Sequence, residues 1–181
     1  MVSTPLEERA AMTLLLKPKR GGFLRPFGCG QFIQEYLIGK GPYDSPKIDS
    51  EIGAPQSDIF RQYKLALMRE ISLDWATRVE ERGARKEERS INPDNIEELA
   101  DKYLARLPYK TIACRFHSFV VYFSDLQKLG WVEFTGIEEP SKFQGHHPPG
   151  PPRKYFRLSK AGREAGDDAW RNPHRALYGQ G

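Results

Sequence analysis

The side chains of this chain best suited to act on a ligand are cationic or hydroxyl-bearing, and they fall into two groups. Lys110, Thr111, Arg115, His117 and Ser118 lie in a stretch whose apolar residues recur at helical spacing, while Arg153, Lys154 and Arg157 follow a proline-rich gap. Such groups donate hydrogen bonds to phosphate oxygens and, within a groove, to base edges. Taken singly, each is also what a solvated surface carries, and only their grouping sets them apart. The chemistry they offer is recognition of a polyanion.

Bond-breaking chemistries find little to stand on. No phosphate-cradling loop is present, and Gly28-Cys29-Gly30 lacks the further glycine and the strand-to-helix setting of a dinucleotide site. His146 and His147 are adjacent, which is not the spacing of a helical metal pair, and no cysteine or acid lies nearby to complete a tetrahedral site. Cys29 and Cys114 are too few and too far apart for a disulfide framework, which points to a reducing compartment. The expectation is a protein that is not an enzyme, with no catalytic residue, no cofactor and no metal. The run Leu14, Leu15, Leu16 is far too short to span a bilayer, and the basic cluster Lys17, Lys19, Arg20 follows it, the reverse of a signal peptide. A soluble, cytoplasmic protein without membrane contact is expected.

Charge is unevenly spread. The formal net charge is +4, but residues 140–181 hold eight Lys or Arg against three acids, whereas residues 94–139 hold five against eight. Basic charge therefore collects around Arg153, Lys154 and the C-terminal segment, where phosphate contacts would sit.

Several elements have to position these groups. Residues 1–56 are punctuated by Pro5, Pro18, Pro26, Pro42, Pro46 and Pro55 and read as a partly ordered arm, with a short helix over Gln31 to Ile38. Ser57 or Asp58 offers an N-cap for a long helix to about Arg82, ended by Gly83. Its apolar residues cover more than one stripe, because Leu65 and Met68 point away from Ile59 and Tyr63, so a second cover is required from the arm or a second subunit. Asn92-Pro93-Asp94 starts the next helix, which Pro108 ends. A third helix, about Tyr109 to Leu129, places Ile112, Phe116, Phe119, Phe123 and Leu126 on its core face. Its other face presents Lys110, Cys114, His117, Val121 and Lys128.

The third helix runs into LQKLGWVEF (Leu126 to Phe134), with a glycine stop at Gly130 and a short strand. RKYFRLSKAGREA (Arg153 to Ala165) supplies the returning strand and a further helix. Between the strands, residues 136–152 hold Gly136, Gly145, Gly150, Pro140, Pro148, Pro149, Pro151 and Pro152, so neither helix nor ladder continues there. The matching residues Leu129, Gly130, Tyr155, Arg157, Leu158, Ser159 and Gly162 resemble the winged-helix transcriptional regulators of the PadR and MarR kind. The resemblance covers element order from Ile59 to Ala165 and a residue signature from Leu126 onward. It implies a third helix that enters the DNA major groove, carrying Lys110, Thr111, Arg115, His117 and Ser118, and a wing that lies on phosphates, carrying Arg153, Lys154 and Arg157.

The expected architecture is mostly α with a small β-hairpin (α+β): a winged helix-turn-helix at 57–165 with its wing at about 136–152, an N-terminal arm at 1–56 and a C-terminal extension at 166–181. The expected function is sequence-specific binding of double-stranded DNA in transcription regulation, as a homodimer held by the first long helix and the arm. Two alternatives stay open. One is a winged-helix module that docks protein through Val121 and Tyr122; the other is a nonspecific nucleic-acid-binding protein.

Overall fold

A computed structural model describes residues 27–108, 115–140 and 150–179. These residues are mostly helical with one small antiparallel sheet of three strands, the α+β class that the sequence pattern predicts. No described helix is long and apolar enough to cross a membrane. The described residues fall into two compact units: residues 67–108, and residues 27–66 with 115–140 and 150–179.

The unit formed by residues 27–66, 115–140 and 150–179 holds the sheet. Helix α1, Cys29–Ile38, buries Phe32, Ile33, Tyr36 and Leu37 and ends at Gly39 in the left-handed region (φ 93°). It begins two residues before the predicted start, so that Gly30 falls within its first turn. A Cβ there would fall 2.1 Å from the Trp170 carbonyl oxygen, so glycine permits the close approach of α1 to the segment holding Trp170.

Strand β1, Ala54–Pro55, is an element the sequence pattern does not announce: it is two residues long and half proline. It pairs antiparallel with β3, Arg153–Leu158, placing Ala54 opposite Phe156. Gly53 makes the approach possible, with φ 72° and a would-be Cβ only 1.9 Å from the Phe156 oxygen. On the other side of β3 lies β2, Val132–Glu139, giving the order β1-β3-β2. The loop after β2 is expected to open at residue 136, but the ladder continues to Glu139 opposite Arg153. Gly136 (φ 85°) instead sits in an irregularity between Phe134 and Glu138, where Thr135 Oγ1 accepts from Ile137 N–H and donates to the Tyr155 carbonyl. The predicted wing thus begins at Pro140, and residues 141–149, with His146 and His147, lie outside the described residues.

Helix α2, Gln56–Lys86, starts one residue ahead of the predicted caps, so Ser57 and Asp58 lie in its first turn. Helix α4, Phe116–Lys128, also departs from expectation, because Arg115 is extended (φ −81°, ψ 140°) and the helix starts just after it; the predicted start at Tyr109 lies outside the described residues. Phe119, Phe123 and Leu126 of α4 are buried together with Ile59 and Tyr63 of α2; each such side chain contributes roughly 1.5–3 kcal/mol when fully removed from water. At its end the Trp131 N–H reaches the Leu126 carbonyl over Gly130 (φ 73°), the predicted Leu-Gly turn. Three short helices follow: α5, Lys160–Glu164, capped by Ser159; α6, Asp167–Arg171; and α7, Pro173–Tyr178, capped by Asn172. Trp170 is fully buried, donates its indole N–H to the Gly162 carbonyl at 3.0 Å and lies 4.8 Å from the Trp131 ring.

In the unit of residues 67–108, Gly83 does not end α2. Ala84, Arg85 and Lys86 are good helix formers, and the stop comes at Glu88 in the left-handed region (φ 51°), with Arg89 N–H donating to the Ala84 carbonyl. Helix α3, Pro93–Arg106, follows, its Asn92 cap accepting from Asp94 N–H. Trp75 packs on Tyr103 with ring centroids 3.5 Å apart. Glu80 joins the turn to the next helix: its carboxylate accepts from the Arg89 guanidinium, from Asn92 N–H and from the Asn95 amide. Those donors, Arg89 first, hold its carboxyl down at about 2.

Candidate nucleic-acid interface

Helix α4 presents a surface made almost entirely of cations and neutral groups. Arg115, Phe116, His117, Ser118, Val121, Gln127 and Lys128 are exposed. Its one carboxylate, Asp125, is turned inward and is 8% exposed, facing His174 Nδ1 at 3.6 Å and Lys128 Nζ at 3.9 Å. No acid therefore stands on the exposed face of α4 to repel a phosphate. Of the predicted contact residues, Arg115, His117 and Ser118 share the start of this helix. Lys110 and Thr111 lie outside the described residues, as do Ile112 and Cys114.

The hairpin divides its basic residues differently. Arg153 Nη2 lies 2.5 Å from Asp58 Oδ2 in the first turn of α2, and its Nη1 lies 3.9 Å from Glu139 Oε2. Glu139 also accepts from the Tyr155 hydroxyl at 3.0 Å, which holds that phenol above its ordinary range. Arg157 is bound on two sides, by Glu133 at 3.0 Å and by Glu51 at 3.4 Å, and Glu51 reaches Arg163 as well. Of the three basic residues of β3 expected to contact DNA, Lys154 alone forms no ion pair among the described residues; its Nζ stands 5.4 Å from the Phe134 ring centroid. A guanidinium already held by carboxylates must give up those contacts before it can take a phosphate, whereas Lys154 gives up only an exposed ring contact.

The acids that hold these arginines carry no signal in the sequence. Glu133 and Glu139 face Arg157 and Arg153 through the hairpin register, which cannot be counted without knowing the irregularity at Gly136. Asp58 and Glu51 reach β3 from distant sequence, and no local spacing signals them. The apolar side of the surface was half legible: Val121 is 53% exposed as its position predicts, but Phe116, assigned to the core, is 48% exposed and leans on Phe60 of α2.

Compared with protein-family models, curated proteins and solved structures, the chain matches none.

Proposed function

We propose that this protein binds double-stranded DNA as a winged-helix transcriptional regulator, with α4 in the major groove and the hairpin beside the phosphates. The observation that carries this reading is the exposed face of α4, which combines Arg115, His117, Ser118, Gln127 and Lys128 with no carboxylate. The helix–strand–loop–strand order around it supports the same reading, and so does the basic excess of residues 140–181. Phosphate holding falls mainly to Lys154, because Arg153 and Arg157 are engaged by acids. An electrophoretic shift with random duplex DNA at roughly 50 and 200 mM salt tests it, and retention that falls steeply with salt is expected. Absence of any shift at the lower salt overturns it.

A second reading has its own observation. Val121 is about half exposed on α4 beside the half-buried Tyr122, and Phe116 is about half exposed at the helix start; exposed apolar side chains of this kind suit a docked protein. Homodimerisation through α2 and the first 56 residues is proposed alongside the DNA reading. Met68 is buried and Leu65 half-buried, so less apolar surface awaits a partner than the helical wheel implies. Light scattering that finds only monomer at roughly tens of micromolar removes the dimer.

A further inference from the structure

Six phenylalanine rings form an unbroken series through the sheet-bearing unit. Phe116 meets Phe60 at 5.3 Å between centroids, Phe60 meets Phe119 at 5.3 Å, Phe119 meets Phe123 at 6.0 Å, Phe123 meets Phe156 at 5.1 Å, and Phe156 meets Phe134 at 6.2 Å. The middle of the series is core, with Phe119, Phe123 and Phe156 all buried. Its two ends are not: Phe116 is 48% exposed and Phe134 is 43% exposed. An exposed aromatic ring whose back rests on a packed ring is held in one orientation, so its free face is available without the entropy loss of ordering a loose side chain.

What surrounds each end decides what it suits. Arg115 and His117 flank Phe116 in sequence and are exposed, and α4 shows no exposed acid. At the other end Lys154 stands over Phe134, with Glu138 opposite Lys154 in the hairpin register and Glu133 taken by Arg157. The cores of protein interfaces are depleted in charge, whereas sites for single-stranded nucleic acid set aromatic rings among cations so that bases stack while the backbone is neutralised. We propose that Phe116, with Phe134 as a secondary contact, stacks on unpaired bases, so that this protein engages single-stranded nucleic acid as well as duplex. The proposal rests on the reading of α4 as the helix that faces nucleic acid. Phe116 has the cleaner electrostatic setting and carries the test.

The full chain is titrated by fluorescence anisotropy against a labelled oligothymidine and against a blunt random duplex, for the parent and for Phe116→Ala, Phe116→Leu and Phe116→Trp. Leucine keeps an apolar contact for Phe60 but has no π-face, and tryptophan restores one. Alanine and leucine are expected to weaken oligothymidine binding by about tenfold or more while tryptophan retains it, and any loss on duplex should be several-fold smaller than the loss on oligothymidine. If Phe116→Leu binds oligothymidine like the parent, or the parent binds duplex but not oligothymidine, stacking is overturned and duplex binding stands. A parent that binds neither overturns both readings and leaves the exposed rings to a protein partner.

Discussion

Arg153 Nη2 lies 2.5 Å from Asp58 Oδ2, tying the start of β3 to the first turn of α2. A side chain predicted to grip DNA is thereby also a strut inside the sheet-bearing unit, and the two roles separate in measurement.

Changing Lys154 to Ala should reduce the slope of log affinity against log salt on duplex DNA by about 0.9, the contribution of one neutralised phosphate. Arg153→Ala should leave that slope nearly unaltered and instead lower stability by about 1 kcal/mol or less, since the pair is partly solvated. A slope that falls equally in both variants would show that Arg153 releases Asp58 on binding.

Base reading is expected to lie in α4 and the residues just before it. Replacing Lys110, Arg115 and His117 together by Ala should weaken a preferred sequence by more than it weakens random duplex, by roughly 1–3 kcal/mol for each lost contact to a base edge. Competition binding with the two DNAs reads the difference, and equal losses would remove the reader assignment.

Glu80 is expected to make the unit of residues 67–108 acid-sensitive. Its carboxyl is held at about 2 against an ordinary 4.5, so the folded state binds the proton less readily than the unfolded chain. The stabilisation is complete above pH 4.5 and is lost as pH falls toward 2. Glu80→Gln should lower the unfolding temperature at neutral pH, and the gap between parent and variant should shrink across that acid window. A gap independent of pH would assign the effect to packing alone.

Gly53 and Gly136 share a left-handed backbone but not a neighbourhood. At Gly53 a Cβ meets the Phe156 oxygen at 1.9 Å, whereas nothing lies within 4 Å of one at Gly136. Gly53→Ala should cost roughly 2 kcal/mol or more, and Gly136→Ala about 1 kcal/mol from backbone strain alone. Urea unfolding of the two variants compares them directly.

The contrast between what sequence shows and what it hides follows range. Asn92-Pro93 and the turn at Gly130 are local signals, and each stands where its residues place it. Gly83 misleads because a glycine within a helix costs only about 1 kcal/mol, which the flanking helix formers and the Glu80–Arg89 contact offset. Strand β1 is hidden because its reason for existing is β3, about a hundred residues downstream. The candidate surface divides in the same way: helical spacing places His117 and Ser118 outward, but the partners of Arg157 include Glu51, 106 residues away.

Among the described residues the sheet order leaves β1 and β2 as edge strands, and neither is an inviting template for another chain. β1 offers two residues, one of them a proline with no N–H to give. β2 is longer, but its ladder is broken between Phe134 and Glu138, and Glu133, Glu138 and Glu139 line it. A second sheet approaching that edge meets an interrupted row of donors and charged side chains, devices by which natural sheets discourage edge-to-edge pairing. The kink at Gly136 is therefore expected to work against edge-to-edge pairing of strands.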